Sequence, residues 1–357
     1  MIPSRTAFFL SISIWVVHSA IAQVPGHNYA RQWRAVDSLT RRALPKSALS
    51  VVDSICAEAK ADRDDIQFTR ALILRLRLFN LPAEKVFPTA VGELDEGMAW
   101  VGRPARAILQ NLAATLYWGY LQNNTYKIQS RSTTVPFRND DIETWTERDF
   151  REKISSLFEA SLREDTLLMN VREKDYSAIL HEGNAHALRP TLFDLMAHRA
   201  LDYYLNGEDD IDVQENVVQP PDTTAFSAAR TFAEHRFGDA DSGSLHYRAL
   251  VLFQRLLRLH GSDDRPDALI DADIERLNWV RSWSDLPDKD ARYAAALESL
   301  TRQWGEEPAA TEAWYQLASL HSVRASQYHA WRDNRYDQWT DTAGRYDYLP
   351  AVDTARK

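Results

Sequence analysis

Apolar residues recur along this chain at the spacing of one helix face and almost nowhere at the alternate spacing of a strand. Residues 105–121 place Leu109, Leu112, Ala113, Leu116, Tyr117 and Tyr120 on one stripe at the helical period. Residues 244–260 do the same with Leu245, Ala249, Leu252, Phe253, Leu256 and Leu257, while Arg248, Arg255 and Arg258 lie off the stripe and Gly261 marks its end. A third stripe, over 191–205, carries Leu192, Met196, Ala200 and Tyr203. Helix starts are signalled by Pro45, Pro104, Pro190, Pro266, Pro287 and Pro308, because proline's fixed φ and missing N–H suit a first turn. Thr144 with Glu147 reads as a capping box. The best period-two stretch, 132–137, contains Pro136 and is demoted to a loop or an edge. Loops are expected near 123–143, 206–222, 236–243, 261–265 and 333–345. The expected fold is all-α: stacked helix pairs in an α-solenoid, each pair burying its stripe against the next.

The amino end carries a different signal. Arg5 precedes an apolar run from Ala7 to Val17, followed by the small-x-small pattern Ala20-Ile21-Ala22 and then Val24-Pro25-Gly26. That order is a secretory signal peptide, with cleavage between Ala22 and Gln23. The run is too short to span a bilayer, which takes about 20 apolar residues. Gln23 rather than cysteine follows the cleavage point, which excludes a lipid anchor there. The exported form is expected in the periplasm, at the cell surface or secreted, without membrane insertion.

Composition then removes several functions. The net charge is −9, and removal of the leader takes Arg5 with it, so the exported form is more acidic still. Such a balance argues against nucleic acid, whose binders need a basic footprint. One cysteine, Cys56, allows no internal disulfide despite an export route that would permit one. The fold must therefore rest on its hydrophobic core, for which 45% apolar residues and 11 tryptophans are ample.

Chemistry-bearing residues are sparse. His181 and His186 flank Glu182-Gly183-Asn184-Ala185, but a zinc-protease helix needs histidines at i and i+4 to share a face. At i and i+5 they diverge by about 140° around a helix, and a loop is expected. His198 and His235 have no carboxylate or cysteine at metal-binding spacing and are expected to be satisfied or exposed. Asp64-Asp65, Asp209-Asp210 and Asp263-Asp264 suit loops and helix starts, where carboxylates complement the dipole. The aromatic group Tyr328, Trp331, Tyr336, Trp339, Tyr346 and Tyr348 could stack on a ligand but more commonly packs between helices. No phosphate-binding loop, dinucleotide fingerprint or nucleophile elbow is present. No catalytic residue, cofactor site or metal site is expected, and the chain is not expected to be an enzyme.

Two resemblances bear on origin. Trp314, Leu317, Ala318 and His321 are similar to the W-x2-L-G-x2-Y ladder of a tetratricopeptide first helix, with Ala330 at that repeat's small position. More widely, Tyr29–Leu39 with Leu44–Leu49, Asp140–Trp145, Leu188–Ala200 and Asp267–Leu277 resemble, in order, the helical region that opens large bacterial alpha-2-macroglobulin-family proteins. In that family a far longer run of β-sandwich macroglobulin domains follows, carrying the bait region and sometimes a thioester. Nothing in these 357 residues matches those domains. A thioester needs a C-x-E-Q core, and Cys56-Ala57-Glu58-Ala59 replaces its Gln, so Cys56 is expected to pack a helix.

The resemblance implies a protein partner, with protease trapping left to domains outside this sequence. The expected layout is a signal peptide at 1–22, a helical-repeat-like region at 23–305 and a tetratricopeptide-like hairpin at 306–357. Trp314, Leu317 and Leu320 are expected to await a return helix beginning near Tyr346, so the chain reads as part of a longer protein. The alternative is a free-standing exported tetratricopeptide-like binder of a glycan or protein.

Overall fold

The computed structural model describes residues 27–78, 86–130, 141–180, 186–206, 223–237 and 244–326. The signal peptide with Ala22 and Gln23, the 132–137 stretch, His181, Asp209-Asp210 and the aromatic group from Tyr328 to Tyr348 lie outside them. Within them the chain is α1 (Tyr29–Arg41), α2 (Pro45–Asp62), α3 (Asp65–Leu78), α4 (Phe87–Trp100), α5 (Ala105–Gln129) and α6 (Glu147–Ser161). It continues through α7 (Asp165–Met169), α8 (Leu192–Asn206), α9 (Ala229–Glu234), α10 (Leu245–His260), α11 (Asp267–Trp283), α12 (Lys289–Trp304) and α13 (Thr311–Ser326). One isolated β-bridge, Arg172 to Thr191, is the sole extended pairing among the described residues. The protein is an all-α stack.

Neighbours in sequence are neighbours in space: α1 packs on α2, α2 on α3, α4 on α5, α5 on α6, and α10 on α11. A small core of Trp33, Val36, Val52, Ile55, Cys56 and Ala71 joins α1, α2 and α3. A second, much larger core runs without a break from Ala59 to Leu320. Its centre is α5, which buries residues on several faces because α4, α6 and α8 all pack on it. Fully buried Phe150, Phe158, Phe193 and Phe253 contribute about 1.5–3 kcal/mol each. The helices α3 and α4 approach closely only because Gly97 lacks a side chain: a Cβ there would stand 2.5 Å from Leu72 Cδ2.

Buried polar groups lock the stack. Asn111 on α5 donates to Ser161 Oγ on α6 (3.3 Å) and to the Met196 carbonyl on α8 (3.1 Å). Arg276 on α11 is fully buried and is held by Asp273 Oδ1 (2.6 and 2.9 Å), the Ala225 carbonyl and the Ser227 carbonyl (2.9 Å). Its guanidinium also lies 4.3 Å from the centre of the Phe232 ring. It ties the 223–227 segment and α9 to α11.

Three local expectations are corrected. The capping box lies two residues later, at Thr146 and Asp149, because buried Trp145 must enter the core in extended backbone before α6 can start. Glu147 instead pairs with Arg151 at 2.6 Å. The loop expected from residue 123 begins later, since α5 runs on to Gln129. In α13, Leu317 and Leu320 are buried beside Ala313, while Trp314 is 52% exposed and Tyr315 64%. The stripe of α13 is thus 313/317/320, turned onto α12 and the preceding Pro308–Ala310 turn. Among the described residues no helix is long and apolar enough to cross a membrane.

Candidate functional site

The stripe of α10 that buries Leu252, Phe253 and Leu256 also fixes where its arginines go. Arg248 and Arg255, about two turns apart, emerge beside the end of α6 and the start of α7. Together with Glu159, Arg163, Asp165, Tyr204 and Tyr247 they line a cleft of about 440 Å³. Arg255 Nη2 donates to the Leu162 carbonyl at 2.7 Å and stands 3.4 Å from Asp165 Oδ2. That satisfies an orphan carbonyl at the end of α6 with a cation, where the helix dipole favours one. Arg248 pairs with Glu159.

Burial lowers the pKa of both Arg248 and Arg255, yet a guanidinium starts so high that both stay charged. Burial also raises the Tyr204 phenol, which therefore stays a neutral hydroxyl at physiological pH. The cleft offers planar cationic forks suited to carboxylates and, in half-buried Tyr247, one accessible aromatic face beside buried Tyr204. In the sequence these arginines stood out only as off-stripe positions. Their convergence with Tyr204 needed the packing of α8 on α10.

A second constellation gives His198 carboxylate companions that its sequence spacing does not show. His198 is buried, only 3% exposed, and α11 brings Asp271 and Glu275 to it. One ligand atom from each of the three residues lies within 4.8 Å of the others. His198 Nδ1 is 2.7 Å from Glu275 Oε2, but the pair is misaligned and Nδ1 makes no hydrogen bond. Asp271 Oδ2 is likewise buried without one, with Arg189 Nε at 3.6 Å, beyond hydrogen-bonding reach. Burial first, and then Glu275, raise the Asp271 pKa against the opposing pull of His198 and Arg189. The Asp202 carboxyl is raised as well, by desolvation and by Glu275.

Sequence spacing missed these companions because they lie on another helix. The legible trace was two one-turn pairs, His198 with Asp202 and Asp271 with Glu275, each on one helix face.

The remaining sequence-selected residues have structural partners. His260 Nε2 meets Asp194 Oδ1 at 2.8 Å and Nδ1 meets Asp263 Oδ2 at 2.7 Å, which joins the end of α10 to the start of α8. Asp194 also closes a capping box with Thr191. Asp263 therefore serves the end of α10, not a helix start. Asp64 accepts from the Ile66 and Gln67 amides at the start of α3, and Asp65 accepts from the Gly102 amide. Cys56 is buried on α2, and burial pushes its thiol up to about 11. The His235 ring lies edge-on to Phe237 at 4.6 Å. His186 sits in an exposed turn.

Comparison of the chain with family models, curated proteins and solved structures finds no match.

Proposed function

We propose that this chain is a non-catalytic, exported binding segment that takes an acidic stretch of a protein partner in the cleft between α6, α8 and α10. The observation that supports it is the convergence of Arg163, Arg248 and Arg255 with Tyr204 and Tyr247 in one cleft of an otherwise acidic protein. Arginine and tyrosine are the residues in which binding energy concentrates at protein interfaces. Two carboxylates already share the cleft, so the site favours a partner able to compete for guanidinium forks with carboxylates of its own. In the alpha-2-macroglobulin-family proteins that this sequence resembles, a helical segment of this kind precedes the domains that trap proteases. In that setting it is an interaction or spacer module of tetratricopeptide-like build.

The test is binding of the purified chain to arrays of acidic, neutral and basic peptides and, in parallel, of glycans. Acidic peptides are expected to bind, with affinity falling as salt rises. Arg163→Glu and Arg248→Glu are each expected to weaken binding by roughly tenfold or more, the loss of about 1.4 kcal/mol that marks an interface anchor. Glycan binding without peptide binding moves the protein to the free-standing glycan-binder class. Peptide binding that ignores both substitutions removes the cleft from the proposal.

A further inference from the structure

We propose that His198, Asp271 and Glu275 form a binding site for a divalent transition-metal ion of the zinc class, held between α8 and α11. Two observations carry this independently: the three ligand atoms converge within 4.8 Å, and the buried His198 Nδ1 and Asp271 Oδ2 are both left without hydrogen bonds. Buried polar atoms are nearly always satisfied. These two lack hydrogen bonds, with only the Arg189 guanidinium 3.6 Å from Asp271 Oδ2. They belong to residues whose ligand atoms converge, so one bound ion can satisfy both.

An ordinary histidine–carboxylate pair does not explain the arrangement. The same chain shows what such a pair looks like, in the aligned 2.8 Å hydrogen bond between His260 Nε2 and Asp194 Oδ1. At His198 the distance is as short, 2.7 Å, but the geometry is not that of a hydrogen bond. A neutral imidazole whose Nδ1 lone pair binds an ion has no proton to share with Glu275 there.

The geometry and charge fit a cation. Zinc ligands at about 2.0–2.2 Å from the ion stand roughly 3.3–3.6 Å apart in a tetrahedral site. The observed contacts bracket that spacing, with the closest at 2.7 Å and all within 4.8 Å, so modest side-chain rotation closes the set. Two carboxylates side by side repel each other, and a dication removes the repulsion that burial intensifies. One imidazole nitrogen with two carboxylate oxygens suits zinc or a neighbouring transition ion and not magnesium or calcium, which take oxygen shells. Asp271 and Glu275 are each 26% exposed at the side chain, so one side of the site faces solvent and leaves room for a water or a ligand atom. Asp202, one turn beyond His198 on α8 and exposed, is close enough to feel the charge of Glu275.

The decisive measurement is calorimetric titration of the chelator-stripped full chain with zinc, alone and with magnesium in large excess. One zinc per chain is expected, retained against magnesium. Asp271→Asn and Glu275→Gln should each weaken binding at least about 100-fold, since even outer-shell partners of a metal are worth about 10–100-fold. Both positions are half-buried, and an unchanged helical circular-dichroism spectrum shows that the variants fold, which buried His198→Gln alone could not guarantee. His186→Ala should bind zinc as the parent does. Absence of binding, displacement by magnesium, indifference to both carboxylate substitutions, or loss on His186→Ala each overturns the proposal.

Discussion

On one side of α11, Arg276 and Asp273 are buried together and the guanidinium is fully engaged, by a carboxylate, two carbonyls and an aromatic face. On another side, Asp271 and Glu275 meet His198 of α8, and two buried atoms there have no hydrogen bond. Both clusters use the same residue chemistry on the same helix. The first is a closed pin, whose polar groups satisfy one another and hold the 223–227 segment in place. The second is an open set, stable only in so far as the surrounding core over-determines it. A fold tolerates incomplete satisfaction where something outside the chain completes it.

The largest effect should come from opening the closed pin. Arg276→Ala leaves Asp273 and two carbonyls buried without a partner, and breaking a buried pair in this way costs about 3–5 kcal/mol. Urea denaturation should show that loss, and the double variant with Asp273→Ala should recover part of it by removing the stranded charge. If the single variant is as stable as the parent, the pin carries no weight.

The open set should respond in the other direction. Asp271→Asn removes one of two facing carboxylates, so metal-free protein should gain roughly 0.5–2 kcal/mol, the scale of a typical relieved functional site. Thermal melts of the chelated protein read this directly, and a destabilised variant would place this cluster among the closed pins.

The smallest effect belongs to a third cluster, His260 between Asp194 and Asp263, which is satisfied but titratable. Desolvation lowers the His260 pKa, but the hydrogen bonds and charges of Asp194 and Asp263 outweigh it and the net shift is upward. A histidine whose folded pKa is raised contributes stability that is full below its unfolded pKa of about 6.5 and fades as pH rises through the folded value. Denaturation midpoints should therefore fall between slightly acidic and mildly alkaline pH, and His260→Gln should flatten that slope. An unchanged slope would show that the pair is held as neutral imidazole.

How far the sequence could be read varies by element. The stripes at 191–205 and 244–260 are buried as their spacing implies, since helix periodicity and core burial are both local in origin. The Thr144 box failed because Trp145, buried against Tyr117 and Phe150, dictates where α6 may begin. The period of α13 implies a buried face for Leu317 and Leu320 but not its direction: the expected cover is a return helix near Tyr346, outside the described residues, whereas the observed packing is onto α12. The companions of His198 escape the sequence for a related reason. Spacing reveals ligands on one helix, while Asp271 and Glu275 approach from another.

Apolar periodicity and proline placement act within a turn or two of chain, and they make this protein a stack of helices, with a single cysteine that allows no internal disulfide. Which off-stripe residues meet depends on how those helices pack. Arg248 and Arg255 joined Tyr204 in a cleft, and His198 joined Asp271 and Glu275, only once α10 had packed against both α8 and α11. The physical reason is that a helix fixes the angles of its side chains around its own axis, whereas the choice of neighbour depends on burying the whole core at once.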